Sequence, residues 1–337
     1  MVKNTTKTIK KKRESRRPAG TTVACCRRGA VVGLRWPAGV ALTHRPVFFF
    51  PKKGVEACLR KERKPLGGNR QFRSSGTDGG KTYLAAKINA LMPPHLHYVE
   101  PYCGGCAVLL AHSGEGRSEL INDINGALMN FWDVLKQDHS FRYFKRWVEA
   151  TPLSRDEFDR AHNGSREMEH WPRWRKAALF FVECRQSLAG RRKCFTPPTR
   201  TRLRRGMNGN VSEWLGAVDG LPAVHERLRR VFMESMDAPR LIQREDTRQT
   251  LFYCDPSYLP ETRTAPDVYE HEMTVEQHVE MLDVLTVCQG MVILSGYDSD
   301  LYRSRLANWN RHTFDLPNNA AGGRVKRRQT EVVWTNF

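Results

Sequence analysis

No stretch of this chain comes near the roughly 20 consecutive apolar residues that a bilayer-spanning helix needs. The longest candidate, Val40 to Phe50, is interrupted by Thr43-His44-Arg45-Pro46, which argues against a membrane protein. Acidic residues are nearly missing from the first part: residues 1–76 hold 3 of the 36 Asp and Glu but 20 of the 55 Lys and Arg. That stretch therefore carries +17 of the formal +19, and everything after Gly76 sums to +2. A nucleic-acid footprint in the body of the protein must be local. A paired set of cysteines is also lacking, because nine of them are scattered over 337 residues. That pattern does not suit a secreted disulfide framework and points to a reducing cytoplasm. Cys103-Gly-Gly-Cys106 has C-x-x-C spacing, but no second pair stands at zinc-ribbon distance, so no metal is expected. No G-x-G-x-x-G turn is present in the cofactor-like region, which sets a dinucleotide aside.

What is present is a chain of 40% apolar and 27% charged residues, enough for one large soluble domain or a domain with an inserted module. Residues 1–76 alternate basic clusters (Lys10 to Arg13, Arg16-Arg17, Arg60 to Lys64) with Gly, Pro and Ser. Little stable structure is expected there. The stretch reads as a nucleic-acid arm, a dispensable extension, or sequence translated from an upstream start. Cys25-Cys26-Arg27-Arg28 interrupts any signal-peptide core.

Order is expected to begin at Asp78-Gly79-Gly80-Lys81, with Leu84, Ile88 and Leu91 at helical spacing until Pro93-Pro94. His97 to Val99 reads as a strand entering Glu100-Pro-Tyr-Cys-Gly-Gly-Cys106, and Ala107 to Ala111 as the helix that follows. Strand, glycine turn and helix bring a nucleoside cofactor close to backbone. Glu119 to Asn122 reads as a second strand, ending in Asp123, 23 positions after Glu100; an acid there is placed for ribose hydroxyls. Asn125 to Lys136 has the period of a core helix.

From Phe141 to about Arg240 the pattern is mainly helical. Within it Arg185, Arg191, Arg192, Lys193, Arg200, Arg202, Arg204 and Arg205 occur with no Asp or Glu among them. Such a cluster suits phosphate and base-edge contacts, or is a solvated loop. Leu241 to Asp246 looks like a strand ending in an acid, with Asp246 either facing a cofactor's adenine or capping the strand. Thr274 to Cys288 is expected as a helix, Met291 to Leu294 as a buried strand, and Glu331 to Thr335 as a final strand of open direction.

Leu251-Phe-Tyr-Cys254 reads as a buried strand that ends in Asp255-Pro256-Ser257-Tyr258. A carboxylate, a proline carbonyl of fixed φ and an aromatic face are thereby presented at a strand's carboxyl end. An exocyclic amine of a nucleobase is a poor nucleophile, and acceptors for its two N–H protons favour a reactive, pyramidal nitrogen. The tetrapeptide alone is equally an ordinary strand-to-turn junction.

Together, Gly79-Gly-Lys81, Glu100-Pro-Tyr-Cys-Gly-Gly105, Asn122-Asp123, Asp255-Pro-Ser-Tyr258, Ser295-Gly-Tyr297 and Glu331-Val-Val-Trp334 resemble the Dam-type DNA adenine-N6 methyltransferases of phages and prophages. The resemblance runs from about residue 77 onward. It implies an α/β, Rossmann-like S-adenosylmethionine-dependent methyltransferase sheet with an inserted, mainly helical target-recognition region. The implied division is a cofactor half over 77–140, recognition over 141–240 and a catalytic half over 241–337. Lys81, Tyr102, Gly104, Gly105, Asp123 and Asp246 would bind S-adenosylmethionine. Asp255, Pro256 and Tyr258 would hold a flipped adenine, and the basic segment would contact double-stranded DNA. A monomer without a membrane or protein partner is expected. Cytosine N4 as target, or a non-catalytic DNA-binding protein, are the alternatives. Two departures stand out: Ser257 replaces the family's usual proline, which predicts a looser turn, and Thr77-Asp78 stands where an aromatic residue usually precedes Gly-Gly-Lys.

Overall fold

A computed structural model describes residues 84–164, 170–259, 261, 272–317 and 328–337. The expectations for residues 1–76 and for Lys81 lie outside the described residues.

A seven-stranded sheet organises the described residues, in the order β5-β2-β1-β6-β7-β9-β8. Its strands are β1 (His97–Glu100), β2 (Ser118–Asn122), β5 (Phe232–Glu234), β6 (Thr250–Cys254), β7 (Met291–Gly296), β8 (Asn310–Pro317) and β9 (Arg328–Thr335). All neighbours from β5 to β7 run parallel, and β9 is antiparallel to both β7 and β8. Chain order turns around at β1, which has β2 on one side and β6 on the other. The crevice outside the carboxyl ends of strands at such a reversal is where open α/β sheets take ligands.

Strand period 2 builds two cores from one sheet. Leu251 and Tyr253 of β6, Ile293 of β7 and Val333 of β9 face one cluster, whereas Phe252, Cys254, Val292, Leu294, Val332 and Trp334 face the other. The first face is covered by α1 (Ala85–Leu91), α2 (Gly126–Lys136), α3 (Asp138–Ala150), α5 (Arg173–Gln186) and α6 (Gly209–Leu228), with α4 (Arg155–Gly164) packed on α5. The second is covered by α7 (Ala238–Glu245), α8 (Val275–Val287) and α9 (Asp300–Arg305). Each wholly buried Leu, Ile or Phe contributes about 1.5–3 kcal/mol. Phe131 and Trp132 on α2 pack in the same cluster as Phe144, Phe181 and Trp214, so the helices beyond residue 140 share a core with the sheet. A short hairpin, β3 (Leu203–Arg204) and β4 (Met207–Asn208), lies outside it and turns through Arg205 and Gly206 at φ +53° and +74°.

The sequence expectations need three corrections. Residues 241–246 are not a strand: Leu241 to Glu245 lie in α7, whose first turn is capped by Asp237 and carries Pro239. Asp N-cap and an early proline are helix-start chemistry that outweighs the apolar pair Leu241-Ile242. Residues 107–111 form only a turn and a 3-10 segment, Leu109–Ala111. The cause is side-chain competition for the backbone of Leu109: its N–H donates to Glu100 Oε1 (2.8 Å) and its carbonyl accepts from Arg227 (3.1 Å). Finally, β5 and β8 were not foreseen, and β5 places part of the 141–240 span in the main sheet.

Candidate active site

A cleft of about 540 Å³ opens at the carboxyl ends of β1, β2, β5 and β6. Six acids line it, namely Glu100, Asp123, Asp237, Asp255, Glu272 and Glu280, and among the described residues no Lys, Arg or His does. In a chain of formal charge +19 that segregation favours a cationic ligand.

The three strand-end loops are clasped by one amide. Asn122, fully buried at the end of β2, donates from Nδ2 to the carbonyls of Pro101 and Met236, both at 2.9 Å, and accepts the Met236 N–H at 2.9 Å. The loops after β1, β2 and β5 are thus locked in mutual register. The glycine turn sits on this clasp. Gly104 adopts φ +45°, and its N–H donates to Asp123 Oδ2 (3.2 Å), whose Oδ1 accepts from Asn125 N–H (2.9 Å). A Cβ at Gly104 or Gly105 would meet no atom within 4 Å, so the turn leaves open space for a ligand against backbone.

Glu100 is buried and accepts the Tyr98 hydroxyl (2.6 Å) as well as the Leu109 amide. Burial pushes its carboxyl up to about 8, the negative charge of Asp255 adding to the effect and both hydrogen bonds opposing it. At pH 7 it is therefore neutral. The Cys103 and Cys106 thiols are buried, and burial pushes both up. Among the described residues no three His, Cys, Asp or Glu are grouped to hold a metal.

Asp255, Pro256, Ser257 and Tyr258 all line the cleft. The turn is tied at two points beyond its backbone. Ser257 Oγ accepts the Met273 N–H at 2.9 Å, and the Tyr258 hydroxyl donates to Glu331 Oε1 at 2.8 Å. A proline at 257 would fix φ but would offer no such acceptor. The Tyr258 ring lies 4.1 Å from that of Tyr297, tilted by 44°.

Of the residues expected to hold a cofactor, Tyr102, Gly104, Gly105 and Asp123 line the cleft. Asp246 does not. It stands just after α7, where its carboxylate accepts the N–H groups of Gln289 and Gly290 (2.9 and 2.8 Å) and caps the turn into β7. The acid that reaches the cleft from this part of the chain is Asp237, signalled in the sequence by the Asp-Ala-Pro helix start. Gln277 and Glu280 of α8 also line it, and no local motif distinguished them from an ordinary helix face.

The basic segment is less uniform than its sequence. Arg192 pairs with Glu183 (2.9 Å), Arg202 and Arg204 both reach Glu213 (3.0 and 3.1 Å), and Arg205 approaches Asp219 (3.7 Å) while hydrogen-bonding Ser212. Arg191 and Lys193 are exposed on the same loop. Arg185 and Arg200 are exposed and have no ion pair among the described residues, although desolvation of the Arg185 guanidinium pushes it below the ordinary arginine value. Leu203, at the hairpin, is 73% exposed between two arginines.

The Tyr102 hydroxyl is buried with no hydrogen-bond partner, an orphan that a polar ligand in the cleft would satisfy. Acids for a sulfonium and a ribose, an open glycine turn and this unsatisfied phenol are a donor and acceptor set that fits S-adenosylmethionine. Residues 78–315 match the family described as D12 class N6 adenine-specific DNA methyltransferase. No curated protein matches the chain.

Proposed function

The chain belongs to the D12 class of N6 adenine-specific DNA methyltransferases, and from that membership we propose which of its residues bind, orient and react. The family assignment makes it an enzyme that uses S-adenosylmethionine to methylate adenine N6 in DNA, on a base turned out of the helix; cytosine N4 and a non-catalytic role are thereby set aside. No described helix is long and apolar enough to cross a membrane.

In our reading Asp123 takes the ribose hydroxyls, Asp237 replaces Asp246 as the acceptor for the cofactor's adenine amine, and Tyr102, Gly104 and Gly105 line the methionyl end, with Lys81 as the partner of its carboxylate. S-adenosylmethionine bound there supplies a methyl group already activated on a sulfonium. The protein's part is orientation and charge. Asp255 and the carbonyl of Pro256 accept the two N6–H protons, directing the nitrogen lone pair at the methyl group and stabilising the positive charge that grows on the amine. Tyr258 stacks on the base. Glu100, neutral beneath the cleft, adds no negative charge to that of Asp255.

The part of residues 141–240 that precedes β5 serves as the target-recognition region, with Arg185, Arg191, Lys193 and Arg200 on phosphates or base edges. Arg192, Arg202, Arg204 and Arg205 hold that surface together. The enzyme acts as a monomer in a reducing cytoplasm.

The all-acidic cleft ending in Asp255-Pro256-Ser257-Tyr258 carries this reading. Asp255→Ala is expected to lower methyl transfer to unmethylated DNA by at least about a thousandfold while leaving the dissociation constant for S-adenosylmethionine within a few fold. Loss of cofactor binding in a variant with a native circular dichroism spectrum would assign Asp255 to the cofactor instead.

A further inference from the structure

Glu331 lies beyond the matched span, on the strand that closes the sheet between β7 and β8. Its side chain is buried, at 3% exposure, and Oε1 accepts the Tyr258 hydroxyl at 2.8 Å across 73 residues of sequence. A buried carboxylate is costly unless it is hydrogen-bonded, and here the bond goes to an aromatic residue of the tetrapeptide in the cleft. The opposite constraint comes from β7: Tyr297, just past its carboxyl end, lies against the Tyr258 ring at 4.1 Å. The ring is therefore held at its hydroxyl by Glu331 of β9 and packed against the tilted ring of Tyr297.

We propose that Glu331 is a positioning residue for methyl transfer: it fixes the Tyr258 ring in the plane on which the target adenine stacks. The inference rests on the reading of Tyr258 as the stacking surface. Without the carboxylate the ring loses the restraint on its hydroxyl, and part of its ordering would fall to the moment of base binding rather than to folding.

The test is single-turnover methyl transfer to a duplex carrying the site that the wild-type enzyme methylates, together with the dissociation constant for S-adenosylmethionine. Glu331→Ala and Tyr258→Phe are each expected to slow transfer by about tenfold with cofactor affinity unchanged. The double variant should be no slower than either single one, because both remove the same bond. Glu331→Gln, whose carbonyl still accepts the hydroxyl, should stay close to the wild-type rate. Losses that multiply in the double variant, or wild-type rates for both single variants, would overturn the role of Glu331. Should Glu331→Ala fail to fold by circular dichroism, Tyr258→Phe and Glu331→Gln decide: a wild-type rate for the former, or tenfold loss in the latter, counts against it. Tyr258→Ala separates the two levels. A collapse of transfer there with an unaffected Tyr258→Phe rejects Glu331 alone, whereas an unaffected Tyr258→Ala rejects the stacking surface itself.

Discussion

Six carboxyl-bearing residues face the cleft, and eight cations crowd residues 185–205, yet the two regions treat their charge in opposite ways. In the cleft the acids are held by neutral backbone: Asp123 by the amides of Gly104 and Asn125, Asp237 by that of Arg240. Among the described residues no Lys, Arg or His lines the cleft beside them. In the basic segment Arg192, Arg202, Arg204 and Arg205 meet Glu183, Glu213 and Asp219, so at least these four of the eight cations are paired within the protein. A count of like charges along a sequence thus measures a binding surface only where the partners of those charges are neutral.

The sharpest test of that contrast is the pair of acids that flank α7. Asp237→Ala should weaken S-adenosylmethionine binding by about 10- to 100-fold, the worth of a charge-assisted hydrogen bond, whereas Asp246→Ala should leave affinity unchanged and lower the melting temperature. Equal losses of affinity on calorimetric titration would erase the distinction between ligand-facing and structural acids. On the basic side, replacing Arg185 and Arg200 by Gln should reduce the salt dependence of DNA binding by about 0.9 in log–log slope for each phosphate no longer neutralised. Arg205→Ala should instead keep the slope and cost about 1–3 kcal/mol of stability, because Ser212 loses its donor and Asp219 its ion-pair partner. A slope that falls with Arg205 would return that residue to the DNA surface.

A further effect should appear with pH. The Glu100 carboxyl lies at about 8 in the folded protein against an ordinary 4.5. Between those values the native state binds a proton that the unfolded state has released, so stability declines as pH rises through the window and levels off above it. Glu100→Gln, which keeps the acceptor for Tyr98 and Leu109, should flatten that part of a denaturation-versus-pH curve. The smallest expected change is Ser257→Ala, about 0.5–1.5 kcal/mol for removal of the bond to Met273. A stabilising result would mean that serine is merely tolerated at the family's usual proline position.

The parts of the fold that were legible share a local cause. β6 is an uninterrupted buried run stopped by Asp-Pro, α8 begins with the Thr274 capping box, and α1 stops before two prolines. Each rests on neighbours within a few residues. What escaped depends on distance. Leu241-Ile242 has the same apolar character in a helix as in a strand, and only Asp237 upstream settles which. The three residues of β5, with Phe232 largely exposed at the sheet's edge, carry almost no period. The partners of the arginines, and the bond from Tyr258 to Glu331, join elements that only the folded chain brings together. Of the cleft, the glycine turn, Asp123 and the Asp255 tetrapeptide could be read from strand-end motifs; Glu280 and Gln277 could not, because a helix face turned to a ligand looks like one turned to water.

The insertion of β9 between β7 and β8 also sets an order of events during synthesis. β8 is made first but has no strand to pair with until β9 arrives, and the outer edge of β7 stays open for the same interval. A nascent chain paused there exposes two strand edges of the kind that seek partners on other chains, and the Tyr258 hydroxyl still lacks its acceptor. One strand thus closes the open edge of β7, gives β8 its partner and brings the Tyr258 hydroxyl its acceptor, so protection of those edges and completion of that bond arrive in the same step.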